Sequence, residues 1–259
     1  MGHERVGVLP RTKEWRRLVA DIATSADSPH AAGELAARTI LNVRERFEAL
    51  QHDSGFRAAF VFLLGLTTYQ LSARNEPALY PALDLSDDPS SLRLTSWLRA
   101  WVDSHADSQE YAELAKRAAA DAIVSWTVAH TRQHEAFARH STASQIWADA
   151  STGAAFSDIS RVFFGKFVER YLRYFLDREA SAQFPSLEAR ERFAISLTKH
   201  VDAIAHHAFE TTKIAQSFSA GWFNKYARTS KPEITAVDAF MAFTLGKLRQ
   251  ELQRESAER

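Results

Sequence analysis

Glycine and proline are scarce in this chain, at 9 and 7 of 259 residues, roughly half their usual combined share of ~12%. A sandwich or barrel of short strands needs a turn about every 8–12 residues, and turns draw on these two residue types. Among the apolar residues Ala and Leu outnumber Val and Ile, which favours helix over strand. The expected fold is therefore all-α, a multi-helix bundle of about 8–9 helices.

Apolar spacing places those helices. A short basic one spans Arg11 to Thr24, with Trp15, Leu18, Val19 and Ile22 on one side. A second is expected from Ser28 to about Gln51. A third, Gly55 to about Ala73, is apolar nearly all round and so belongs in the centre. Helices follow over Ser91–Ser104 and Asp107 to about Arg139. The segment near 157–180 buries an arc too wide for a surface helix, with Phe163, Phe164, Phe167, Tyr171 and Phe175 in it, and reads as the central post. A long helix is expected near 186–221, interrupted by Gly221. A last one opens at Pro232 with Thr235-x-x-Asp238 as its capping sequence and frays after Leu248. Three prolines and three aspartates fall within residues 74–91, which read as an ordered linker packed on the surface. The expected division is thus an N-terminal helical subdomain 1–73, the linker 74–91 and a C-terminal bundle 92–259.

Composition excludes several functions. Lys plus Arg (32) balance Asp plus Glu (32), so no net field recruits nucleic acid or an acidic membrane. With no Cys there is no disulfide, thiol nucleophile or Cys-ligated metal. The apolar run Ala58–Leu66 is too short to span a bilayer, and no signal peptide is evident. A cytoplasmic protein, bacterial from its abundant Ala and Arg, is expected. Phosphate loops, GxGxxG turns and GxSxG elbows are absent, and no cofactor is implied.

The histidines are the strongest lead to chemistry. His130 and His134 stand at i,i+4, a spacing that lets two imidazoles grip one zinc. A second row, Asp202, His206 and Glu210, has the same spacing on a solvated face, with His200 and His207 at the apolar edge. Ferritin-like di-iron sites use Glu-x-x-His, which this chain lacks. Arg46 and His52 approach the Arg and His spacing of HEPN ribonucleases, but Phe47 stands where a polar residue belongs. Arg161, Lys166, Arg170, Arg173 and Arg178 with Tyr171 and Tyr174 suggest a nucleic-acid surface, yet Glu169, Asp177 and Glu179 offset the cations.

Two segments look like docking elements. One is the first helix, where Trp15, Leu18 and Ile22 are rimmed by Arg16 and Arg17. The other is residues 219–226, where Trp222, Phe223 and Tyr226 cluster beside Gly221. The resulting expectation is a non-catalytic adaptor or scaffold subunit of a bacterial complex, such as an accessory component of an anti-phage system. Its partners would be proteins, with self-association included. The alternatives are a His/carboxylate metal-dependent enzyme and an RNA- or DNA-binding helical protein.

Overall fold

The computed structural model describes residues 13–24, 38–39, 49–71, 79–107, 111–136, 142–183, 186–192, 194–195 and 213–257. Among them the regular elements are helical: α1 (Lys13–Thr24), a 3-10 turn (Leu50–His52), α2 (Ser54–Thr67), α3 (Ser91–His105), α4 (Ala112–Ala136), α5 (Ala143–Asp149), α6 (Gly153–Gln183), α7 (Lys213–Tyr226) and α8 (Ile234–Ala257). No strand occurs among the described residues, and the chain is an all-α multi-helix bundle. None of the described helices is long and apolar enough to cross a membrane.

Two apolar helices make the centre. Every residue of α2 is buried except Ser54 and Arg57, as expected of a helix with no polar face. Asp53 caps it by accepting the Phe56 N–H at 2.7 Å. Its far end stops at Thr67, where the hydroxyls of Thr67 and Thr68 both turn back onto the Leu64 carbonyl. The expected end at Ala73 was therefore too late. The central post is α6, which packs against α4, α7, α1 and α2. It begins earlier than the apolar arc implies, because Thr152 accepts the Ala155 N–H and fixes the first turn at Gly153.

Phenylalanine fills the space between these helices. Phe56 meets Phe163, Phe164 and Phe167 at centroid distances of 5.3, 5.8 and 4.5 Å. Phe60 joins Phe163 to Phe240 of α8 at 5.7 and 5.4 Å. Each fully buried ring removes enough apolar surface to contribute ~2–3 kcal/mol. One continuous apolar cluster takes in Trp15 of α1 and Leu248 of α8.

Residues 79–90 cross the bundle as a packed strap. Tyr80, Pro81, Leu85 and Pro89 are buried, and Pro81 lies so near Gly65 of α2 that a Cβ there would sit 2.9 Å from its Cγ. Asp88, in the left-handed region at φ 50°, offers its carboxylate to the Ala143 N–H and so holds the start of α5. Helix α5 was absent from the sequence expectation, although Thr142-x-x-Gln145 is a complete capping box that opens it.

Other boundaries moved. Residues 187–192 are helical and α7 covers 213–226; the intervening part of the expected long helix lies outside the described residues, as does most of the expected helix 28–51. Gly221 does not interrupt α7, which continues through it to Tyr226. The last helix begins at Ile234, so Thr235 is inside it and is not its cap. Asp238 instead pairs with Arg57. Helix α8 continues past Leu248 to Ala257, where fraying was expected.

Candidate functional site

The described surface has a concave site of about 460 Å³ where α7 turns into α8, lined by Lys225, Tyr226, Thr229, Ser230, Lys231, Pro232, Glu233, Thr235 and Ala236. Proline at 232 removes a backbone donor and ends the approach to α8. Glu233 then takes the cap position, its carbonyl accepting the N–H groups of Ala236 and Val237 at 3.0 and 3.2 Å. A glutamate side chain is poorly suited to capping, and the N–H groups of Ile234 and Thr235 have no hydrogen-bond acceptor among the described residues. The positive end of a 24-residue helix therefore opens toward the cavity.

Cations and hydroxyls complete the lining. Lys231 is half-buried, and its ammonium lies 5.4 Å from the centroid of the Tyr80 ring. Lys225 lies 4.8 Å from the Tyr226 ring. Neither lysine has a carboxylate partner among the described residues. Burial accordingly lowers the Lys231 amine below the ordinary lysine value. Ser230 is only 7% exposed, and its hydroxyl has no hydrogen-bond partner among the described residues. Glu233 is exposed at the rim. Beneath the floor, the Tyr80 hydroxyl donates to the Pro232 carbonyl at 2.7 Å, and burial pushes its phenol well above the ordinary tyrosine value.

The histidines of α4 are drawn apart. The His130 ring stacks on Trp126 at 3.5 Å between centroids, with Nδ1 3.0 Å from the Trp126 carbonyl. His134 turns away to Asp149 of α5, its Nε2 2.8 Å from the carboxylate. Each imidazole thus has its own partner, and no group of three potential metal ligands forms among the described residues. His206 and Glu210 lie outside the described residues, together with His200, Asp202 and His207, and so does Arg46. The basic face of α6 is internally compensated: Arg170 pairs with Asp121 at 2.7 Å and Lys166 with Glu169 at 2.8 Å.

The proposed docking aromatics divide. Trp15 and Leu18 are 2% and 0% exposed, with Trp15 edge-on to Phe175, so α1 uses its apolar face on its own core. Arg16 and Arg17 face solvent; the side chain of Ile22 lies outside the described residues. Trp222 and Phe223 are buried against Phe156 at 5.5 and 5.0 Å, whereas Tyr226 is 41% exposed. Sequence reasoning missed Phe243, which is exposed on α8 and meets Phe218 of α7 at 3.9 Å. It also missed Ser230 and Lys231. A readable signal was there in the run from Lys225 to Lys231, which holds cations and hydroxyls with no acidic residue.

Comparison with known proteins gives no relative: no family model, no curated protein and no solved structure matches the chain.

Proposed function

We propose that the chain is a non-catalytic helical adaptor of the cytosol that docks a protein partner along α7 and α8. The observation that carries this reading is the aromatic pair Phe218–Phe243. Phe243 is 37% exposed, lies tilted against Phe218 at 3.9 Å and has the Lys247 ammonium 5.7 Å from its ring. Along α7, Phe218, Trp222 and Tyr226 follow at i,i+4 spacing, so one stripe carries a buried anchor between two accessible rings. Exposed aromatics beside a long cationic side chain match the composition of interface centres. Rigid helices below them spare a partner the cost of ordering the surface.

A photoreactive phenylalanine analogue at position 243, compared with the same analogue at exposed Asp87 of the strap, tests the reading in the native cell. A discrete adduct to another protein or to a second copy is expected from position 243, and loss of that complex with Phe243→Ser at unchanged thermal stability. Identical adduct patterns from both positions would sink it.

A further inference from the structure

The geometry points to the α7–α8 cavity as a binding site for the phosphate monoester of a small organic molecule. Three features converge on that chemistry. The α8 N-terminus brings to the lining the N–H donor of Thr235, which nothing in the described protein accepts. Lys231 and Lys225 supply positive charge without carboxylate partners. Ser230, a residue only 7% exposed, lines the cavity, and its hydroxyl has no hydrogen-bond partner among the described residues. That hydroxyl can donate to, or accept from, a molecule bound in the cavity.

The preference for phosphate over a carboxylate follows from the number of donors. The Thr235 N–H, two ammonium groups of three donors each and the Ser230 hydroxyl exceed what two carboxylate oxygens accept, whereas a phosphate monoester brings three terminal oxygens. Thr229 and Thr235 add hydroxyls to the same lining. The site is also larger than a bare ion requires, at about 460 Å³, within the range of organic ligand pockets. Tyr226, accessible at the rim, provides a flat wall for the organic group. Glu233 is the one lining carboxylate; it opposes a second anion and sets a limit on affinity that can be released.

This site shares Tyr226 with the docking stripe but not Phe243, and calorimetric titration of the full chain at low salt tests it with inorganic phosphate, phenyl phosphate, a phosphoserine peptide and acetate. Saturable one-to-one binding is expected for both phosphates, tighter for the phenyl ester, with acetate inert. Lys231→Met should weaken binding about tenfold, the effect of one charge-assisted hydrogen bond. Ser230→Ala should weaken it several-fold, and Glu233→Gln should strengthen it by about threefold. Phe243→Ser should leave phosphate binding unchanged, separating this site from the docking reading. Circular dichroism and thermal melts accompany each variant; should Lys231→Met fail to fold, Lys225→Gln takes its place with the same expected direction. No saturation up to about 20 mM phosphate, or equal binding by the wild type and folded lysine variants, would overturn the site. Equal affinity for the two phosphates, or tighter binding of a phosphoserine peptide than of phenyl phosphate, would overturn the small organic ester.

Discussion

The Tyr80 hydroxyl donates to the Pro232 carbonyl at 2.7 Å across 152 residues of sequence, tying the strap to the turn that carries Ser230 and Lys231. The bond is buried, so Tyr80→Phe leaves a carbonyl unsatisfied at a cost of ~1–2 kcal/mol. Chemical denaturation at neutral pH should show that loss. The pH dependence adds a sign. Burial holds the folded Tyr80 phenol well above its ordinary value, so its contribution is complete below the unfolded tyrosine value of ~10 and declines above it. The advantage of wild type over Tyr80→Phe should therefore shrink by roughly 1.4 kcal/mol for each pH unit above ~10. A constant difference from neutral to alkaline pH would show that Tyr80 is not held protonated by the fold.

Glycines in this chain do opposite work according to what faces them. A Cβ on Gly55 would lie 2.6 Å from the Ala112 Cβ and 2.9 Å from the Ala112 Cα, so α2 can approach the start of α4 only without a side chain. Gly55→Ala should destabilise by ~1–3 kcal/mol. Gly221 and Gly246 are inside helices with nothing within 4 Å of an added Cβ. Alanine at either should stabilise by ~0.5–1 kcal/mol. Thermal melts of the three single variants decide the matter. Destabilisation by Gly221→Ala would contradict the continuity of α7 through that position.

Lys116 is the chain's most enclosed described ammonium, its side chain 7% exposed and bonded to Asp103 of α3 at 2.6 Å and to Glu113. Burial lowers its proton affinity, but the hydrogen bonds and charges of Asp103 and Glu113 outweigh that and raise it above the ordinary lysine value. Stability from this group is hence full below ~10.4 and is lost as pH rises through the folded value. Removing both partners with Asp103→Asn and Glu113→Gln strands the ammonium. The cost should be about 2 kcal/mol, less than the ~3–5 of an enclosed pair because the carboxylates are 51% and 39% exposed. Lys116→Met removes the charge along with its need for partners, and should stay within ~1 kcal/mol of wild type. Denaturant midpoints in the reverse order would refute this account.

What could be read in advance was set by periodicity. The all-round apolar character of α2 and the wide Phe arc of α6 each follow from local sequence and lead to burial whatever the neighbours are. Local capping is readable too: Thr142-x-x-Gln145 announces α5, although the helix has only 7 residues and little apolar repeat. The misplaced cap at Thr235 has a different cause. Asp238 is drawn to Arg57 of α2 at 2.7 Å, a partner 181 residues away that no local motif reveals. The same holds for the cavity. Residues 219–226 and 74–91 stood out in the sequence, and the site lies beside the first and rests on Tyr80 from the second. Its chemistry nevertheless belongs to Ser230, without a hydrogen-bond partner, and Lys231, without a carboxylate partner, among the described residues, and both are tertiary facts. Trp15, Trp222 and Phe223 illustrate the converse, since an aromatic at an amphipathic face reads alike whether its groove lies in the same chain or in another.

Glu233 sets a conflict between stability and binding that one methylene should expose. It holds the cap position of α8, where its carbonyl serves Ala236 and Val237, and the Thr235 N–H beyond it has no acceptor among the described residues. Aspartate is among the best capping residues, because its shorter side chain reaches the N–H two positions on. Glu233→Asp keeps the charge and closes that donor, and should stabilise the protein by ~0.5–1 kcal/mol. The same closure takes a backbone donor from the cavity, so phosphate affinity should fall several-fold while Glu233→Gln, with the donor still open, raises it. Paired thermal melts and phosphate titrations of the two variants read both effects. If Glu233→Asp gained stability without any loss of phosphate affinity, the α8 N-terminus would have no part in holding the anion.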